Sequence, residues 1–244
     1  MIEHTRAHPR VAQQTPPGRR VGPLFLPAKL KLRAETPLLI FFHGGDWLPQ
    51  VAVARRSRMA AMTFPASMQD PAKLLAAIAE AETAAQVRFA PLTLGGWSAG
   101  CGAIRELLKS QPLFDRTHAL LLIDGIHTDY VKGKPGPAES AINTDKLENW
   151  VRFAKTAITR QRRMIVTHSE IFPGTFASTT ETADYLLSEL QLARRPLLRW
   201  GPMRTQQLSE ARAGRFLLIG YAGNSAPDHV DQLHSLPEYL EWLK

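Results

Sequence analysis

Five short, predominantly apolar runs recur along the chain, at residues 37–42, 92–95, 119–123, 164–166 and 216–219. A strand exposed on one face alternates polar and apolar side chains, whereas a strand covered on both faces reads as a continuous apolar run. Each run therefore predicts a strand buried on both sides, and a shorter strand is expected near 59–64. Helical patterns separate the runs. That alternation predicts an α/β fold with a mainly parallel sheet doubly covered by helices. At 244 residues and 44% hydrophobic, the chain is large enough to bury one sizeable core.

The helix signals are local and specific. Asp70-Pro71 supplies an N-cap and a first-turn proline for a helix to about Ala85. Residues 99–109 carry Ile104, Leu107 and Leu108 on one face, and 145–159 place Leu147, Trp150, Val151 and Ala154 at helical spacing. Ser178 with Glu181 three residues later predicts a capping box for a helix to about Leu190. A last helix is expected over 230–243, kinked or split by Pro237. The polar, Pro- and Arg-rich residues 1–22 read as a flexible arm preceding a domain at 23–244.

Composition excludes several function classes. No apolar stretch approaches the roughly 20 residues of a spanning helix, and the opening residues lack the apolar segment of a signal peptide. The single cysteine, Cys101, permits no internal disulfide, so a cytoplasmic or other reducing location is expected. The net charge of +8 is spread over short groups, namely Arg55, Arg56 and Arg58, then Arg160, Arg162 and Arg163, then Arg194 and Arg195. No stacking aromatics interleave them, which reads as a solvated basic face and disfavours nucleic acid. The chain has no CxxC pair, HExxH, P-loop or GxGxxG, so neither a metal nor a cofactor is expected.

Ligands of such sheets bind beyond the carboxyl ends of the strands, which directs attention to the residues after each apolar run. Gly96-Trp97-Ser98-Ala99-Gly100 follows one run and opens a helix. A GxSxG at a strand-to-helix junction is a turn so tight that only glycines fit on either side of the serine, and it presents the serine as a nucleophile. Ser98 is the candidate. His43-Gly44-Gly45-Asp46 follows another run, and its glycines let backbone N–H groups approach a developing oxyanion. Ala99 and Gly45 are the expected donors, with His43 bracing the loop. A base is expected from the loop after the last run, where His229 is preferred to His234, one helical turn further on. A carboxylate must then hold the imidazole. Asp124, at the end of 120–123, is favoured, with Glu170, after 164–166, as the alternative. Gly44, Trp47, Trp97, His127 and Tyr130 are candidates for substrate binding, and Cys101 reads as a small core residue.

In this order, the HGG loop, GWSAG, Asp124 and His229 resemble the α/β-hydrolase superfamily, specifically its serine esterases and lipases, over residues 25–244. The resemblance implies a Ser98-Asp124-His229 triad, an oxyanion hole at Gly45 and Ala99, and hydrolysis of a carboxylic ester through an acyl-enzyme. The short segment at 125–163 implies at most a small lid, and hence an accessible small-molecule or polymer-borne ester. Acyl transfer on the same triad, or a non-catalytic binding module using the basic surface, are the other readings of these residues. The sequence does not specify an oligomeric state.

Overall fold

The computed structural model describes residues 10–56, 58–132, 134 and 141–243. Among the described residues ten strands form one sheet: β1 (Gly18–Val21), β2 (Leu24–Pro27), β3 (Glu35–Phe42), β4 (Ala60–Phe64), β5 (Arg88–Trp97), β6 (Thr117–Ile123), β7 (Arg163–His168), β8 (Arg195–Trp200), β9 (Gln206–Ala213) and β10 (Phe216–Tyr221). Their order across the sheet is β1-β2-β4-β3-β5-β6-β7-β10-β9-β8. The central strands β4, β3, β5, β6, β7 and β10 run parallel. Antiparallel pairs flank them, β2 and β1 on one side and β9 and β8 on the other.

Every apolar run lies in a central parallel strand. Along each of these strands alternate residues enter two separate core layers, as the two-residue period of a strand requires. Leu38, Ile40, Phe42, Leu120, Leu122 and Val166 pack on one face, while Leu39, Phe41, Leu121, Ile123 and Ile165 pack on the other. The first layer is closed by α2 (Pro71–Ala85), α3 (Ala99–Leu107), α4 (Gln111–Arg116), α5 (Glu148–Ile158) and α6 (Thr179–Glu189). The second is closed by α1 (Trp47–Arg56), α7 (Ala226–His234) and α8 (Leu236–Tyr239). A parallel sheet needs both coverings, because its strands carry no polar face to leave in water.

The capping signals act as expected. Asp70 Oδ1 accepts hydrogen bonds from the Ala72 and Lys73 amides at 2.9 and 3.2 Å. Ser178 Oγ accepts from the Glu181 amide at 3.1 Å while Glu181 Oε2 accepts from the Ser178 amide at 2.8 Å. The expected final helix is split at Pro237, and it begins at Ala226 rather than at 230. Its start is earlier because Ser225 and Asp228 form a second capping box, with Pro227 in the first turn.

The expected arm at 1–22 contains a sheet strand in its last part. Gly18–Val21 pairs with Leu24–Pro27 through a tight turn at Gly22, and Arg20 donates to Asp46 Oδ2 at 2.9 Å. Further upstream, Arg10 Nε lies 2.7 Å from Asp231 Oδ1 and its Nη2 donates to the Pro227 carbonyl at 3.0 Å, tying this segment to α7. Residues 1–9 lie outside the described residues. The basic groups are also more engaged than a solvated face implies. The Arg152 and Arg162 guanidinium groups stand 3.7 and 4.4 Å from the Phe114 ring centroid, a cation–π arrangement, and Arg194 pairs with Asp184.

Candidate functional site

The turn between β5 and α3 is built around Ser98, whose φ of 52° and ψ of −125° lie where side chains other than glycine are strained. Such a conformation costs about 1–3 kcal/mol and persists only where the surroundings enforce it. Three glycines provide that enforcement. A Cβ at Gly100 would stand 2.0 Å from the Phe42 carbonyl oxygen, and one at Gly96 would stand 2.8 Å from the Gly100 carbonyl carbon. One at Gly125 would stand 2.5 Å from the Ser98 carbonyl oxygen. The end of β3, the turn and the residue after Asp124 are therefore in backbone contact. Ala99 is the first residue of α3.

Asp124 follows β6 directly and is almost wholly buried, at φ 42°. Its Oδ2 lies 2.7 Å from His229 Nδ1. The same carboxylate accepts hydrogen bonds from the Ser169 amide at 2.8 Å, from Ser169 Oγ at 2.8 and 3.0 Å, and from Thr179 Oγ1 at 2.9 Å. Burial alone pushes a carboxyl up. Here the hydrogen bond and charge of His229, joined by Ser169 and Thr179, outweigh it and hold Asp124 below the usual carboxylate range. Asp124 thus stays ionised and directed at the imidazole.

His229 lies in the first part of α7, not in a preceding loop, because the helix begins at Ala226. Trp97 fixes it from beside the nucleophile: the indole Nε1 donates to the His229 carbonyl at 3.0 Å, and the two rings lie 4.5 Å apart at 31°. Ser98, Asp124 and His229 all line one cavity of about 260 Å³. Ser169 and Thr179 form part of its floor, His127 part of its wall, and Ile171, Pro173, Phe176 and Ala226 its apolar side.

The remaining candidates are distributed differently. His127 lines the cavity. Tyr130 does not, because its hydroxyl donates to Glu181 Oε2 at 2.8 Å and Tyr130 bridges to Ile142. Trp47 opens α1 and faces His234, with ring centroids 5.8 Å apart. Trp97 serves His229 and is not part of the cavity wall. Glu170, the alternative acid, is exposed, and its amide donates to the Gly223 carbonyl. Gly44 and Gly45 have φ of 91° and 82° and line a second cavity of about 340 Å³ with Thr63, Phe64 and Pro65. Gly44 backs onto Leu233 and Trp97, and the His43 ring stacks on Trp97 at 5.3 Å, so His43 braces the loop. Cys101 is fully buried, donates to the Gly96 carbonyl, and has its thiol pushed up by burial.

Sequence reasoning passed over Ser169 and Thr179. Ser169 was within reach, since it is the first residue after β7, one place before Glu170. Thr179 gives no such signal, because it reaches Asp124 only through the docking of α6. Among the described residues no cluster of His, Cys, Asp and Glu is arranged to hold a metal ion, and no helix is long and apolar enough to cross a membrane.

Beside Ser169, His168 is buried with its Nε2 2.7 Å from Arg194 Nη1. Burial, reinforced by Arg194, lowers its pKa to about 4. A histidine depressed in the folded state takes up its proton in the unfolded chain first, so acidification through the window from about 6.5 to about 4 favours unfolding. The thermal midpoint is accordingly expected to fall between pH 7 and pH 4.5. The slope should be shallower in His168→Gln, which scanning calorimetry across this range would measure. An equal slope in both proteins would remove His168 from this role.

No protein-family model matches the sequence, and no curated protein matches it significantly. Solved structures do match in fold. An acetyl xylan esterase from Aspergillus awamori is 11% identical with a TM-score of 0.53, over 90% of this chain and 92% of that one. An esterase from Pyrobaculum calidifontis is 12% identical with a TM-score of 0.53, over 91% and 79%. A cold-adapted esterase from an Arctic intertidal metagenomic library is 17% identical with a TM-score of 0.50, over 91% and 86%. At these identities the likeness speaks to architecture alone. With its central parallel strands, sharp serine turn after β5 and late histidine after β10, the chain has the α/β-hydrolase fold.

Proposed function

We propose that the protein is a serine esterase in which Ser98 is the nucleophile, His229 the general base and Asp124 its carboxylate partner. The observation that carries this reading is the 2.7 Å contact between His229 Nδ1 and a buried Asp124, in the wall of the cavity onto which the strained Ser98 faces. An imidazole whose Nδ1–H is committed to a carboxylate presents Nε2 as the proton acceptor. In the first step His229 Nε2 takes the Ser98 proton as Oγ attacks the ester carbonyl. The carbonyl electrons move onto oxygen, where the amides of Ala99 and Gly45 are the proposed donors. Collapse of the tetrahedral intermediate expels the alcohol, which leaves with the proton from His229. Water, deprotonated by the same histidine, attacks the acyl-enzyme and releases the carboxylic acid and free Ser98.

Esterases are among the proteins that share the fold, which is consistent with this reading. Incubation with a fluorophosphonate is expected to add one covalent phosphonyl group to Ser98, located by peptide mass spectrometry. A folded protein that takes up no label, or takes it up elsewhere, would overturn the assignment.

A further inference from the structure

One polar group of the cavity has no task in the chemistry above. The hydroxyls of Ser169 and Thr179 are both spent on Asp124, as is Nδ1 of His229, whose Nε2 the mechanism proposed above assigns to Ser98. His127 is not committed in this way: its Nδ1 is buried without a hydrogen-bond partner. The residue is nevertheless held firmly. Its carbonyl accepts from Arg105 Nη1 at 3.2 Å, and its ring stands edge-on to Phe176, 5.3 Å away at 88°. Burial, with His229 and Arg105 nearby, lowers its pKa to about 4, so the ring is neutral at physiological pH. A neutral imidazole offers one donor and one acceptor. Nδ1 is closed off from solvent, so on this cavity-lining ring Nε2 is the atom that a bound partner can reach.

The rest of the wall sets the size and charge of that partner. Ile171, Pro173, Phe176 and Ala226 are apolar, no Lys or Arg lines the cavity among the described residues, and Asp124 is ionised at its base. A carboxylate or phosphate would meet repulsion there without compensation. The volume of about 260 Å³ lies just below the usual range of about 300–1,000 Å³ for ligand cavities and suits a short group.

Resting on the esterase reading, we propose that His127 is a specificity-determining residue that selects short, uncharged esters carrying a hydroxyl or carbonyl substituent, held by a hydrogen bond to its imidazole. The substituent can belong to the acyl or to the alcohol half of the ester, and two substrate pairs separate these sources. The first pair is p-nitrophenyl 3-hydroxybutyrate against p-nitrophenyl butyrate. The second is 2-hydroxyethyl acetate against ethyl acetate, followed by acid release.

In wild type the hydroxylated ester is expected to have the higher kcat/KM in one pair, which identifies the half that enters the cavity. In His127→Phe, which keeps a flat ring without hydrogen-bonding atoms, that ratio should fall about tenfold, the loss of one hydrogen bond. His127→Gln, which restores a donor and an acceptor, should recover part of it. Ratios equal in wild type and His127→Phe for both pairs would overturn the proposal while leaving the esterase reading intact. Absence of turnover on all four esters, together with absence of fluorophosphonate label at Ser98, would overturn both.

Discussion

Ser98→Ala is expected to reduce kcat/KM for p-nitrophenyl butyrate by about 10⁴- to 10⁶-fold while leaving the thermal midpoint nearly unchanged. The size follows from the role proposed for the oxygen. Without Oγ there is no acyl-enzyme, and what remains is the contribution of binding and oxyanion donors to direct attack by water. The fold should be indifferent to the change. Ser98 makes no side-chain cap for α3, and the strained turn is enforced by the packing of Gly96, Gly100 and Gly125 rather than by the hydroxyl. Steady-state kinetics beside circular dichroism would test both halves, and turnover within tenfold of wild type would refute Ser98 as nucleophile.

Asp124→Asn is expected to have the next largest effect, a loss of about 10⁴-fold in kcat. An asparagine in the same place can offer its amide N–H to His229 Nδ1, which stabilises the tautomer with its proton on Nε2 and removes the base. The carboxylate also accepts from Ser169 and Thr179, whose hydroxyls would face a group with fewer lone pairs. Stability should therefore fall as well, and with a definite pH dependence. A carboxyl held below its unfolded value stabilises the fold above that value, near 3.9, and ceases to do so as pH drops through the folded value. The gap in thermal midpoint between wild type and Asp124→Asn should consequently narrow below about pH 4. Glu170→Gln is the control, since Glu170 is exposed and Nδ1 of His229 is met by Asp124 instead, and it should change kcat by less than threefold. A large loss in that variant with a small one in Asp124→Asn would reverse the assignment of the acid.

What could be read from the sequence follows from where the physical signal is strong. The central strands announce themselves because burial on both faces leaves unbroken apolar stretches within them, as at 38–42 in β3 and 119–123 in β6. The flanking strands give no such signal. β8 is Arg-Pro-Leu-Leu-Arg-Trp, largely exposed, with Leu198 and Trp200 about 70% accessible, and β9 mixes Gln, Ser, Glu and Arg with apolar residues. Their strand character comes from pairing with β10 and with each other, a tertiary effect absent from any local pattern. The same division holds at the site. Ser98, Asp124 and His229 were legible because each follows a buried strand, whereas the apolar wall of Ile171, Pro173 and Phe176 comes from a loop without periodicity. Trp97 was visible as a neighbour of Ser98. Its grip on His229 crosses 132 positions of sequence and needed the docked helix to be seen.

That grip bears on how precisely the three groups can stay aligned. Ser98 and Asp124 leave adjacent parallel strands, and the Ser98 amide donates to the Ile123 carbonyl at 3.1 Å while the Asp124 amide donates to the Thr167 carbonyl at 3.0 Å. Nucleophile and acid are thereby stitched into three neighbouring strands. His229 rides on α7, held by the Trp97 indole on one side and by Asp124 at its ring, while, two and three residues on, Asp231 is anchored to Arg10 and Gln232 accepts from Thr167 Oγ1 at 2.5 Å. The alignment of base with nucleophile thus depends on how one helix is seated on the sheet, and the N-terminal segment is one of its several anchors.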